Sequence, residues 1–141
     1  MSVRSGISLF LMVALVSISL AGCAGSTASS SQVPSTQVQI TSVSAVAGKW
    51  AGTVRRDPST EDDWVDLTIK DDGSYEVKSF RTIGAILGGG RLTVSNGQLT
   101  TQTERASSTL TLYEGDGRRV LKIDGTLRNG VTFSGLLTPA R

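Results

Sequence analysis

From Gly48 to the last residue the side chains alternate between apolar and polar in short runs broken by turn signals, and this two-residue period restricts the chain to antiparallel sheet. The run Lys49-Trp50-Ala51-Gly52-Thr53-Val54-Arg55 puts Trp50, Gly52 and Val54 on one face, and Val65, Leu67 and Ile69 share a face in the next. Asp71-Asp72-Gly73-Ser74 supplies a tight turn before Tyr75-Glu76-Val77-Lys78 returns. Leu92 and Val94, the turn Asn96-Gly97, Leu99, then Leu110 and Leu112 continue the pattern. After the turn Glu114-Gly115-Asp116-Gly117 come Leu121, Ile123 and Leu127, and after Arg128-Asn129-Gly130 come Val131, Phe133 and Leu137. About eight strands joined by hairpins predict a small all-β, antiparallel up-and-down barrel, with a small sandwich as the alternative. Closure is favoured because it removes exposed edges. The apolar side chains match what an eight-stranded interior needs, so the barrel is expected to be filled rather than hollow.

Composition removes most catalytic chemistry. With no histidine, a Ser-His-Asp or Cys-His unit, a His-ligated metal and an imidazole base are all excluded, and the single cysteine excludes an internal disulfide. Fourteen Lys and Arg against twelve Asp and Glu leave a net charge of +2, too balanced for a nucleic-acid binder. Glu61, Asp62, Asp63 and Asp66 lack the alternating oxygen ligands of a calcium loop, and they are expected to face Arg55 and Arg56 across the first hairpin. Gly88-Gly89-Gly90 lacks the Lys-Ser/Thr of a phosphate loop and reads as a hinge or wide turn. No catalytic residue, metal or cofactor is expected, and the chain is read as not an enzyme.

The N-terminus carries an address. Arg4 precedes an apolar run from Ile7 to Leu20 that is short for a membrane span, and the run ends in Leu20-Ala21-Gly22-Cys23. This tetrapeptide resembles the lipobox of bacterial lipoproteins. The resemblance implies a signal peptide over 1–22, cleavage before Cys23 and acylation of that cysteine. Residues 23–45, rich in Ser, Thr and Gln, are expected to form a flexible tether carrying the barrel domain, 46–141. Within the tether, Val38-Gln39-Ile40 offers a short edge strand, and Ser42 to Ala47 offers one helical turn. Ala24 in place of Asp, by resemblance to lipoprotein sorting patterns, implies the outer membrane, facing the periplasm.

Gly48-Lys49-Trp50 at the opening of the first strand resembles the start of lipocalins and other calycins. In those barrels the tryptophan plugs the base beneath an arginine, which implies structural roles for Trp50 and for Arg141, with Arg128 as the alternative cation. Avidin-like barrels are closer in length, yet their biotin sites need more tryptophans than Trp50 and Trp64. The Gly-x-Trp-x-Gly strand, the Asp-Gly-Ser-Tyr hairpin and the Tyr113 to Leu121 segment resemble uncharacterised bacterial envelope lipoproteins, a likeness that carries no activity.

Phe80 to Gly90 breaks the alternation with Ile83, Ile86 and Leu87 in what reads as a connection. Inward, these residues fill the barrel end; outward, they form a contact patch. The function expected is that of a lipid-anchored, non-enzymatic envelope lipoprotein binding a protein partner as an accessory subunit or inhibitor-like module. Ile83, Ile86, Leu87 and Tyr113 are the candidate contacts. The alternative is a calycin-like carrier of a small apolar ligand, with a cavity lined by Trp50, Tyr75 and Phe133.

Overall fold

The computed structural model describes residues 33–34, 36–80 and 85–141, for residues 85 and 86 the backbone only. Its strands are β1 (Thr36–Val38), β2 (Gly48–Arg56), β3 (Asp62–Ile69), β4 (Ser74–Phe80), β5 (Ala85–Arg91), β6 (Thr93–Ser95), β7 (Gln98–Gln102), β8 (Ala106–Gly115), β9 (Arg118–Leu127) and β10 (Thr132–Pro139). They form one antiparallel sheet in the order β5-β4-β3-β2-β10-β9-β8-β7-β6, and β1 adds to β8. The last strand pairs with the second, Leu137 opposite Gly52, so the meander curls back on itself into a nearly closed up-and-down barrel.

The circuit contains eight staves because β5 and β6 act as one bent strand. Its first half pairs with β4 and its second with β7, while Leu92 at the bend is buried and donates its amide to the Gly73 carbonyl at 2.8 Å. The Asn96-Gly97 and Asp116-Gly117 turns hold φ of 51°, 75°, 52° and 71°. Two consecutive positive values belong to the two-residue hairpin turn whose twist matches its strands.

The inward face is what the alternation predicts over most of its length. Trp50 sits opposite Leu67, Leu110 opposite Ile123, and Leu112 opposite Leu121. Leu99, Leu121 and Leu137 have no exposed surface. Val94 departs from expectation: in the middle of the three-residue β6 it is 40% exposed.

Residues 36–45, expected to belong to the tether, are instead part of the barrel. β1 pairs with β8, Ile40 donates its amide to the Gly97 carbonyl at 2.8 Å, and a 3-10 turn at Val43–Val46 covers the end of the barrel where Trp50 lies. Ile40 and Val46 are 1% and 0% exposed. Each fills a place at this base that the strands leave open, through the short strand and the helical turn that the sequence offers here.

Gly88-Gly89-Gly90 is neither a hinge nor a turn, since all three pair within the β4–β5 ladder, Gly90 opposite Tyr75. Their role is to admit neighbours. A side chain at Gly90 would press on the Tyr75 ring and the Thr103 methyl. Tyr75 leans over this glycine, and its hydroxyl accepts a 3.4 Å hydrogen bond from Thr101 on β7. One aromatic thus links the two staves flanking the seam of the barrel. Phe133 lies over Gly125, and Val54 over Gly135, in the same way. Bulky side chains covering glycines across the sheet let the strands coil while the interior stays filled.

Candidate interaction surface

At the base, Trp50 is 3% exposed and its Nε1 donates to the Val46 carbonyl at 2.8 Å. The cation over its ring is Arg119 from β9, 5.8 Å from the centroid, and not the expected Arg141 or Arg128. Arg119 also donates to the Ala45 carbonyl at 2.9 Å and is held by Glu114 at 2.7 Å. The 3-10 turn explains the difference: its carbonyls accept from both Trp50 and Arg119, so the guanidinium comes from the strand beside that turn. Arg141 is exposed, on a depression that Trp50 also touches.

Tyr113 lies near this same base, opposite Val120 on β9 and Gln37 on β1. The β4–β5 connection leaves from Phe80, at the end of the barrel away from Trp50. Tyr113 and the Glu114 to Arg119 turn therefore form no rim around it. Ile83 and Cys23 lie outside the described residues, as does the side chain of Ile86, whose backbone pairs opposite Ser79. Leu87 is in β5 rather than in a connection, opposite Lys78 and 68% exposed.

Two members of the acidic cluster, Asp62 and Asp63, are paired with the arginines as expected, while Asp66 accepts from Trp64. Arg55 meets Asp62 at 2.7 Å and Arg56 meets Asp63 at 3.2 Å. The hydrogen bond from Arg55 holds the Asp62 carboxyl below its ordinary range, and Lys70 does the same for Glu76. The Ser74 hydroxyl and amide, both donating to Asp72 in the first tight turn, lower that carboxyl as well. Among the described residues no cluster of three or more His, Cys, Asp or Glu is placed to hold a metal ion. An open depression of about 1040 Å³ crosses β6 to β10 and is lined mainly by hydroxyls, among them Thr93, Thr100, Thr109 and Ser134, with Arg55 and Arg91. These residues follow the outward phase of the sheet.

The apolar surface that stands out is on the outer face of β3, β4 and β5. Trp64 is directly opposite Phe80, and Leu87 is one strand further, opposite Lys78. Trp64 and Phe80 are 50% and 39% exposed. The Trp64 Nε1 donates to Asp66 at 3.0 Å, which fixes the indole, and the Lys78 ammonium lies 5.8 Å from the Phe80 centroid. Beside them runs a depression of about 680 Å³ whose lining includes Lys49, Asp66, Glu76, Lys78, Leu87 and Arg141. An aromatic centre with a mixed-charge border has the composition of a protein interface. Trp64 and Phe80 are not among the contacts expected from sequence, although phase could have found them: with Val65 and Val77 inward, both point outward.

The sequence matches no protein-family model and no curated protein. Among solved structures it is similar to a redesigned β barrel, with a TM-score of 0.55 and 17% identity over 74% of this chain and 99% of that one. The fold is a small β-barrel. At this identity the likeness extends to architecture alone.

Proposed function

We propose that the protein is a lipid-anchored, non-enzymatic envelope lipoprotein whose barrel binds a protein partner through the outer face of β3 to β5. The observation that carries this reading is the exposed Trp64-Phe80 pair, with the indole hydrogen-bonded to Asp66 and Leu87 beside it. A tryptophan and a phenylalanine facing water contribute little to a core built, among the described residues, from thirteen buried apolar side chains. Tryptophan is among the side chains that most often carry binding energy between proteins, and phenylalanine is enriched at interface cores. The carrier alternative loses support because Trp50, Tyr75 and Phe133 are each engaged in packing, under the 3-10 turn, over Gly90 and over Gly125. Trp50 beneath a guanidinium at the barrel base supports a calycin-like ancestry for the scaffold. The missing histidine and the arginine-paired carboxylates support a role without catalysis.

The lipobox supports Cys23 as the anchor and the outer membrane, on its periplasmic side, as the location. Cys23→Ala, once exported, should move from the membrane pellet to the soluble fraction, because several acyl chains at about 0.8 kcal/mol per buried methylene are lost. Retention of that variant in membranes would refute the anchor. For the surface, a photo-crosslinking residue at position 64 in intact cells should capture one defined protein, while the same probe at position 109 captures none. Trp64→Ser combined with Phe80→Ser should weaken that complex at least tenfold, since losing about 2 kcal/mol per anchor exceeds that factor. Both side chains face solvent, so the thermal midpoint should hold. Undiminished capture by the double variant would exclude this face.

A further inference from the structure

We infer that β5 is a self-association edge, through which two copies of this chain pair strand to strand. The observation is the open backbone edge of β5, separate from the Trp64-Phe80 pair, although Leu87 borders both surfaces. Among the described residues β5 has one ladder, with β4, and it ends the strand order. Gly90 lies beside Thr103, one residue past the end of β7, and among the described residues no strand lies along the second side of Ala85 to Gly89. An edge of unpaired amides and carbonyls is a template for another strand, and exposed edges are usually guarded by charge, proline or a bulge. Ala85-Ile86-Leu87-Gly88-Gly89-Gly90 contains no charged residue and no proline. Its pairing with β4 continues without a bulge from Ala85 to Arg91.

Its sequence suits a second copy of itself. A two-fold antiparallel pairing centred on Gly88 brings Leu87 opposite Gly89 of the second copy, so the branched side chain, 68% exposed in the single chain, gains cover over a residue without one. The charges agree with this register. Lys78 flanks Leu87 and Glu76 flanks Gly89 within one chain, so the two outer rows beside the axis each run from Lys78 through Leu87 to Gly89 and Glu76 of the second copy. Opposite charges end both of these rows. Residues 33–141 carry 13 Lys and Arg against 12 Asp and Glu, so net charge does not oppose association. Identical strands around a two-fold axis are self-complementary, the commonest geometry of homodimers.

Sedimentation velocity of the purified full chain in detergent should show a reversible monomer-dimer equilibrium at concentrations of about 10 to 100 µM. Leu87→Lys places two ammonium groups beside the axis and should raise the dissociation constant at least tenfold with an unchanged melting profile. Trp64→Ser lies off the edge and should leave the dimer intact, which separates this inference from the partner-binding reading. In the unaltered chain, hydrogen exchange at the amides of 85–89 should slow as concentration rises, a readout that does not depend on any variant folding. A chain that remains monomeric at about 1 mM, a dimer indifferent to Leu87→Lys, or exchange at 85–89 that is independent of concentration would each overturn the assignment.

Discussion

Trp50→Ala is expected to lower the unfolding free energy by about 3 to 5 kcal/mol, the range for deleting a large buried aromatic. Three losses combine. The indole is 3% exposed, so its removal leaves a cavity beneath the 3-10 turn. The Val46 carbonyl loses the Nε1 donor at 2.8 Å, and an unsatisfied buried acceptor costs about 1 to 3 kcal/mol. Arg119 loses the ring it faces at 5.8 Å, although its bonds to Glu114 and the Ala45 carbonyl persist. Trp50→Phe separates the terms: it keeps most of the volume and should cost about half as much or less, chiefly the lost donor. Urea melts of both variants, compared at constant slope, give the test. A loss below about 1 kcal/mol for the alanine would mean that the base does not depend on this residue.

Gly52→Ala should be at least as damaging per atom added, with an expected loss of about 3 kcal/mol or more, the upper end of what overpacking costs. A methyl at this position would overlap the Leu136 carbonyl on β10, a backbone atom that no rotamer change can move aside. The β2–β10 ladder joins the first long strand to the last, so widening it strains the closure of the whole circuit. Gly117→Ala is the control. Its added methyl meets open space but the backbone sits at φ 71°, so the cost should be limited to about 1 to 2 kcal/mol of left-handed strain. Similar stabilities for the two variants in denaturant melts would show that β2 and β10 can part without penalty.

The architecture was legible because each long strand shows its inward face locally. Val65, Leu67 and Ile69, or Leu110, Leu112, Leu121 and Ile123, state their phase within one strand, and the turns between them contain the glycines their backbone needs. The Arg55-Asp62 and Arg56-Asp63 pairs were readable for the same reason, since a hairpin places near neighbours opposite one another. Where the signal was a glycine run it misled. Gly88-Gly89-Gly90 looks like a turn in one dimension, yet a glycine opposite Tyr75 is there because the ring requires the space, and that ring is fifteen residues away.

By itself the sequence determined the antiparallel sheet, the hairpin order and the absence of histidine chemistry, and it carries a Leu20-Ala21-Gly22-Cys23 run that resembles a lipobox, all of which are written in residues close together along the chain. Only the tertiary structure decided that Arg119, not Arg141, faces Trp50. It also decided that Ile40 and Val46 belong to the core and that Trp64, Phe80 and Leu87 share one outer face while Tyr113 lies near the base. Those outcomes depend on how far each strand slides past its neighbour as the sheet curls. Stagger is set by the sum of many glycine contacts and ladder registers around the barrel, so no single strand encodes it.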